Sequence, residues 1–511
     1  MLRAIRNLRR LFQIGRCLAR HNALFPLEYL PLPDFVFRLL RLVSRRGAPG
    51  RPGQRLARAL SEMGPSFIKL GQSLATRSDL LGEEIAADLS ELQDRLPPFP
   101  AEQARQVIER ELGRPLEELF SSFEPEPVAA ASIAQVHLAV TAEGRPVAVK
   151  VLRPGIERAF ARDLDFFAWL AALVERTQPA FRRLRPRAVV ETLASVTRAE
   201  MDFRMEAAAA SELAENCQND AGFRVPRIDW QRTARRVLTL EQVTGIASDE
   251  RERLIEAGFD PDEVLTRAAQ IFFKQVFRDG FFHADMHPGN MFIDKRGDLV
   301  PVDFGIMGRL DRPTRRYLGE MLLGFLTADY QRVADVHFIA GYVAADQDKG
   351  AFMQACRSVG EPIRDRPLSD ISVGRLLGQL FEVTEAFEME TQPQLLLLQK
   401  TMVVAEGVGR ALNPTLNMWQ LAQPLIEDWM AANLGPQAQL RDAVEEGIVT
   451  ARRLPQLVER AERTLAAVAS EGLRLHPGSI EALERRNGAA GWSRSWLLPL
   501  AIGLILGLLL V

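Results

Sequence analysis

Between Phe282 and Gly305 the chain reads FHADMHPGNMFIDKRGDLVPVDFG. Three side chains with hard oxygen donors stand in order along it: Asp285, Asn290 five residues later, and Asp303. Residues 291–293 and 299–302 flank a DKRGD turn between the last two, the composition of a strand, a turn and a strand. Phosphoryl transfer from ATP needs a carboxylate that accepts or orients the attacking hydroxyl, and amide and carboxylate oxygens that hold magnesium on the phosphates. A D-x-x-x-x-N loop followed by an aspartate at the end of a hairpin supplies all three groups. DFG or HxD alone is common and carries little weight; both in order around a hairpin carry much more. His283 and His287 suggest a metal site as the plainer alternative, but the Asp–Asn–Asp oxygens suit a hard cation better than zinc.

Such a site needs a lysine upstream on a strand to hold the α- and β-phosphates. Lys150 ends VAVK within the strand-like run 147–151. Its carboxylate partner should sit on a helix, and Glu200-Met-Asp202-Phe-Arg-Met-Glu206, followed by four alanines and Leu213, supplies one. Glu206 is the expected ion-pair residue. Glu241, in the strand-like run 237–243, falls where a hinge between two lobes would run and is expected beside the nucleotide. The loop over the phosphates departs from the usual Gly-rich pattern. Val128, Ala129, Ala130, Ala131, Ser132, Ile133, Ala134, Gln135 and Val136 occupy it without one glycine. Alanine resists positive backbone angles, and its methyl keeps the backbone further from phosphate oxygens, so the nucleotide should bind in an altered pose. The plainer alternative for AAAS is a helix start.

The elements that must position these residues are legible in outline. At 511 residues, with 47% hydrophobic and 25% charged residues, the chain is globular and long enough for two or three cores. Three scattered cysteines give neither a disulfide framework nor a zinc site and fit a reducing compartment. The balance of 64 basic and 66 acidic residues argues against nucleic-acid binding. Only six of the basic residues are lysine: Lys69, Lys150, Lys274, Lys295, Lys349 and Lys400.

Arg3 to Arg20 form a basic amphipathic stretch without an acid, which reads as a helix on the protein or on anionic lipid, or as an organellar transit peptide. At the other end WLLPLAIGLILGLLLV, residues 496–511, is uncharged and reads as a membrane segment. At about 1.5 Å per residue it falls short of a hydrocarbon core of about 30 Å, a length approached when Trp492 is the start. Arg485, Arg486 and Arg494 predict that the bulk of the chain faces the cytoplasm. Gly503 and Gly507 form a G-x-x-x-G that could pair two copies. Pro- and Gly-rich stretches at 45–53, 95–100, 124–127 and 485–491 mark four boundaries, and the expected division is 1–53 (basic segment), 54–115 (helical extension), 116–243 and 244–440 (two lobes), 441–491 (helical linker) and 492–511 (anchor). A few short strands between helical ends indicate an α+β class.

With these pieces in place, residues 55–430 and the tail resemble the UbiB family of atypical, protein-kinase-like proteins. The marks are Lys69-Leu-Gly71-Gln72 (the family's KxGQ), Arg77-x-Asp79-Leu-Leu, Leu92-Gln93-Asp94-x-x-Pro97, AAASIAQVH, and Glu200-x-Asp202 with Glu206. The resemblance implies a bilobal kinase-like fold with a helical KxGQ extension, Lys150 as the nucleotide lysine, Asp285 as the catalytic-loop aspartate, and Asn290 and Asp303 as magnesium ligands. It also implies that the KxGQ helix packs over the site where a peptide substrate would lie, with Lys69, Gln72, Glu200 and Asp202 as regulatory residues. Gly64-Pro65 can restart a helix there, putting Lys69 and Gln72 on one face that could reach one cleft. HAD replaces the usual HRD, so the activating arginine is missing.

The implied function is that of an ATP- and Mg2+-dependent ATPase or atypical kinase at the bacterial inner membrane. It would serve ubiquinone biosynthesis by acting on lipid or quinone precursors or on the enzymes that modify them. Bacterial members often carry two C-terminal spans, and this chain has room for one. Three alternatives stand beside this reading. H-x-D-x-x-H-x-G-N with DFG also resembles aminoglycoside and choline phosphotransferases, which lack the KxGQ and Ala-rich segments. A nucleotide-binding pseudokinase scaffold is the second. A flavin hydroxylase is the third, and no G-x-G-x-x-G supports it.

Overall fold

The computed structural model describes residues 2–25, 49–75, 82–90, 92, 96–177, 186–362, 382–384, 386–389 and 393–413, with Pro424 and Trp429. The R-x-D-L-L stretch at 77–81, Gln93, Asp94, the linker 441–491 and the tail 492–511 lie outside the described residues. Among the described residues, α1 (Leu2–Arg20), α2 (Pro52–Met63), α3 (Pro65–Ala75), α4 (Glu83–Ser90) and α5 (Ala101–Leu112) precede the first sheet. Strands β1 (Phe120–Phe123), β2 (Ala129–Ala130), β3 (Ala134–Thr141) and β4 (Pro146–Leu152) follow. Then come α6 (Ile156–Thr177), α7 (Pro186–Glu200), α8 (Phe203–Asn216) and β5 (Val237–Glu241). All pairings in this sheet are antiparallel, in the order β1-β3-β4-β5 with β2 on β3.

The alternation of β4 explains how one strand serves both a core and a site. Val147, Val149 and Val151 are buried with Ala104, Val107 and Ile108 of α5. Successive side chains point to opposite faces, so Ala148, Lys150 and Leu152 look the other way, toward Phe160 of α6 and Phe203 and Ala207 of α8. Lys150 pairs with Val136 on one side and Leu238 on the other. A slip of one residue would exchange Lys150 for a valine, and the three buried valines oppose it.

The second lobe holds β6 (Gly245–Ala247), α9 (Pro261–Phe273), β7 (Phe281–His283), β8 (Met291–Asp294), β9 (Leu299–Pro301) and β10 (Met307–Arg309). It continues with α10 (Arg312–Leu326), α11 (Tyr330–Ile339), α12 (Lys349–Gly360) and α13 (Pro393–Leu412). Strands β6, β8 and β9 form one antiparallel sheet, and β7 and β10 a two-stranded ribbon. In that ribbon a Cβ on Gly308 would stand 2.1 Å from the Phe282 ring, so the close approach of the strands requires glycine there. The strands expected over 147–151, 237–243, 291–293 and 299–302 correspond to β4, β5, β8 and β9.

Helices α2, α3 and α4 and the inner face of α1 share one core with Phe166 and Phe167 of α6. The basic stretch therefore packs as α1 on the protein, with Arg6 paired to Asp165 and Arg10 to Asp163, while Leu8 and Phe12 face outward. Gly64, at φ 102°, ends α2, and Pro65 opens α3 in the first helical turn, where a missing N–H costs nothing. The three cysteines are free and buried. Among the described residues no helix is long and apolar enough to cross a membrane.

Candidate active site

Lys150 stands between two carboxylates from different parts of the chain. Its Nζ donates to Glu206 Oε1 at 2.8 Å and Oε2 at 3.1 Å, and to Asp303 Oδ1 at 3.2 Å. The Phe203 ring lies under the ammonium, 5.5 Å away. Glu206 is brought there by a helix break. The single helix expected over Glu200 to Leu213 is two: α7 ends at Glu200, and Asp202 caps α8 by accepting from Arg204 N at 3.2 Å. Aspartate favours such a cap over a helix interior because its carboxylate satisfies an N–H that the helix leaves open. Glu206 then lies in the first turn of α8, where the helix dipole favours a negative charge.

Burial pushes the Glu206 carboxyl up, to about 7; Lys150 pulls it down and Asp303 adds to the rise. Burial would also raise Asp303, but the Lys150 ammonium and the Gly305 N–H, 3.0 Å from Oδ1, hold it well below the usual carboxylate range. Lys150 is opposed by burial and nonetheless raised by its two carboxylates, so it stays an ammonium.

The catalytic-loop residues are set by His283. Buried at the end of β7, it donates from Nε2 to Asp303 O and accepts at Nδ1 from Asp285 N at 3.2 Å. That pattern needs the neutral imidazole, and burial lowers the pKa of His283 accordingly. One ring thus ties the Asp285 loop to the DFG segment. Asp285 Oδ2 accepts from Asn290 Nδ2 at 3.1 Å, and Val302 N donates to Asn290 O at 3.0 Å, closing the loop on the hairpin. His287 Nδ1 accepts from Gly289 N and caps the short turn Pro288–Asn290. Both histidines of the alternative metal site are therefore occupied by loop geometry.

The Ala-rich segment is a hairpin and not a helix start. Ala129 and Ala130 pair with Val136 and Gln135, Ala131 N donates to Ala134 O at 2.8 Å, and Val128 N to Val136 O at 2.9 Å. None of residues 128–136 has a positive φ, which is why alanine is tolerated. Ser132 and Ile133 form the turn. Ser132 Oγ is fully buried and makes no hydrogen bond within the protein, which leaves a donor for an acceptor from outside the chain.

Gln135 has a role that its position in the motif did not disclose. Its Oε1 accepts from Phe99 N at 2.9 Å, and its Nε2 donates to Phe99 O at 3.1 Å and to His137 Nε2 at 2.7 Å. Arg153 adds a bond to Pro97 O and lies over the Phe99 ring. The hairpin is thereby clamped to the RLPPFP segment.

Four of the expected residues have partners of their own. The Glu241 carboxylate accepts from Arg224 Nη1 at 2.8 Å and Arg227 N at 3.3 Å, a brace at the β5 end. Lys69 pairs with Glu200 at 3.1 Å, and Gln72 Nε2 donates to Leu92 O at 3.4 Å. Asp202 is the α8 cap. Lys69 nonetheless bears on the site, because Glu200 ends the helix immediately before the one that carries Glu206.

Sequence reasoning left Lys400 and Thr401 without a role. Both lie on α13, where Lys400 Nζ is 3.4 Å from Asp285 Oδ1 and the buried Thr401 hydroxyl is 3.1 Å from Ala284 O. The scarcity of lysine was the signal that could have drawn attention to Lys400. One further cluster, Cys17, His21 and Glu62, brings its ligand atoms within 4.8 Å of one another. Arg20 and His21 both bind the Glu62 carboxylate, and burial raises Cys17, so the cluster is satisfied within the protein.

An antiparallel sheet lobe with a strand lysine, a helix glutamate and a catalytic loop joined to DFG defines the protein-kinase-like class of fold. The ABC1 atypical kinase-like domain matches residues 91–337, and the UbiB helical domain matches residues 356–417. The chain belongs to the UbiB family. It is 44% identical to a Marinobacter nauticus protein named "Probable protein kinase UbiB", over 89% of this chain and 85% of that one. It is 41% identical to the Pseudomonas aeruginosa protein of the same name, over 89% and 87%. The solved structure of Rv3197 from Mycobacterium tuberculosis, in complex with erythromycin, is 24% identical. It covers 77% of this chain and 98% of its own, with a TM-score of 0.52, a likeness of fold.

Proposed function

We propose that this chain binds ATP with magnesium and transfers or hydrolyses its γ-phosphoryl group, as an ATPase or atypical kinase tethered to a membrane and serving ubiquinone biosynthesis. The observation that carries the reading is the three-way contact of Lys150 with Glu206 and Asp303, with Asp285 and Asn290 on the loop that His283 ties to DFG.

The donor set fits a hard divalent cation. Asp303 is held ionised, and Asn290 turns its amide nitrogen to Asp285, which leaves its carbonyl oxygen as the ligand atom. A bound magnesium ion supplies positive charge to the β- and γ-phosphate oxygens. Lys150, steadied by Glu206, holds the α- and β-phosphates. Asp285 orients the attacking hydroxyl or water and accepts its hydrogen bond. The glycine-free hairpin covers the phosphates, with Ser132 Oγ as a donor at its turn. The family name supports the ubiquinone setting, and the apolar segment 496–511 supports a membrane tether, with the lobes in the cytoplasm.

The test is turnover of labelled ATP by the full chain in vesicles, with and without a phenolic quinone precursor. Asp285→Asn and Lys150→Ala should each lower turnover by about 100-fold or more. Turnover equal to wild type in both variants overturns the reading. Label that accumulates on a lipid or metabolite instead of as free phosphate identifies a kinase over an ATPase. Quinone production that survives Asp285→Asn with nucleotide binding intact indicates a scaffold.

A further inference from the structure

Asp285 has two oxygens and two different neighbours. Oδ2 accepts from Asn290, as a kinase-like loop requires; Oδ1 faces the ammonium of Lys400, 3.4 Å away. Lys400 comes from α13, within the segment matched by the UbiB helical domain and outside the kinase-like match.

Its placement is built. The next residue, Thr401, is fully buried, with its hydroxyl 2.8 Å from Leu397 O and 3.1 Å from Ala284 O, so its proton is shared between the helix and the catalytic loop. The same helix packs on α9 and on β10, the strand that pairs with β7 and so supports that loop. The contact itself is unlike a folding contact. It is single, long and open, with 42% of the Lys400 side chain and 31% of the Asp285 side chain exposed. Such pairs add little to stability. The cation is instead held where the acceptor must approach Asp285, and the other active-site lysine is committed to Glu206 and Asp303.

We propose that Lys400 is a catalytic residue of the phosphoryl-transfer site, supplied by the helical region: its ammonium contacts the oxygens of the transferred phosphoryl group. This rests on the phosphoryl-transfer reading above. In the step, the acceptor oxygen forms a bond to the γ-phosphorus as the bond to the β–γ bridging oxygen breaks. ADP leaves with that electron pair, and the acceptor proton passes to Asp285 or to water. Lys400 gains and loses no proton; it supplies charge where the phosphoryl oxygens need it. A compact ammonium on a flexible stem can turn from Asp285 to the phosphoryl oxygens as nucleotide enters.

The experiment uses the full chain in vesicles, with wild type, Lys400→Met, Lys400→Arg, Thr401→Val and Asp285→Asn side by side. It reads kcat and KM for ATP, affinity for a fluorescent ADP and the thermal midpoint. Lys400→Met should lower kcat by about 10- to 1000-fold while affinity for ADP, which lacks the γ-phosphate, changes by less than about threefold. Lys400→Arg should recover part of kcat, and Thr401→Val should shift the thermal midpoint more than Lys400→Met does. Unchanged kcat in Lys400→Met with Asp285→Asn inactive overturns the inference and spares the reading of the site. A kcat loss in Lys400→Met that comes with equal loss of ADP affinity and of thermal stability also overturns it. Full turnover in Asp285→Asn overturns the reading of the site and the inference with it.

Discussion

Two helices outside the kinase-like core each bring a lysine to a carboxylate, one from before the core and one from after it, and the two pairs are built differently. Lys69 of α3 meets Glu200 with both side chains nearly buried, 14% and 13% exposed. Lys400 of α13 meets Asp285 with both side chains open to solvent. The first pair holds the corner between α7 and α8, on which the position of Glu206 depends. The second touches the reacting end of the site and has room to rearrange. Burial separates a lysine that maintains geometry from one that is free to change partners, although both look alike as lone lysines in an arginine-rich sequence.

The largest effect on folding should come from the buried pair. Lys69→Met leaves the Glu200 carboxylate buried without its lysine, at a cost of about 3 kcal/mol, read as a lowered urea midpoint. Lys69→Met combined with Glu200→Leu should recover most of that, because removing both charges also removes the desolvation cost. Lys400→Met in the same assay should change stability by less than about 1 kcal/mol. Equal losses from the two single variants would erase the distinction.

Most of the site was legible because its chemistry lies in short segments. Asp285, Asn290 and Asp303 fall within 20 residues, and the spacing forces them onto one loop and hairpin. The VAVK alternation likewise located Lys150 on β4. What sequence did not reveal depends on contacts across long separations or on local caps. Lys400 meets Asp285 across 115 residues, and no periodicity on α13 points to that partner. The division between α7 and α8 turns on one Asp202 cap inside a run that otherwise has helical composition. Glu241 was expected at a hinge beside the nucleotide; it ends β5, and its carboxylate is held by Arg224, a residue with no motif around it.

A smaller effect should follow from loosening the clamp between the Ala-rich hairpin and Phe99. Gln135→Leu keeps the volume and removes three hydrogen bonds, leaving Phe99 N and O unpaired in a buried place, at about 1–3 kcal/mol. Hydrogen exchange at the Phe99 amide should rise, while Lys69→Met should raise exchange at residues 200–206 instead. Exchange that rises at both places in either variant would mean that the two clamps are one unit, and the buried lysine would no longer be a local device.

The smallest net effect concerns protons, where buried groups act in opposite directions. His137, His283 and His337 are all lowered by burial, so the unfolded chain binds more protons than the folded one as pH falls through about 6.5. Their contribution is present above that pH and lost below it. Glu206, raised to about 7, has the reverse sign: the folded chain keeps a proton that the unfolded chain has released, so its contribution is lost as pH rises toward 7. Between pH 5.5 and 7.5 the two trends oppose, and Glu206 offsets part of the gain that the three histidines give as pH rises. Glu206→Gln removes one of them. Its stability is lower throughout, but it should climb more steeply with pH than wild type does, read as urea midpoints at the two pH values. An unchanged slope would mean that Glu206 is already ionised beside Lys150. The site would then hold the same open-site charge at every pH in the range, and burial would distinguish the two lysine pairs without also setting the charge of the carboxylates around them.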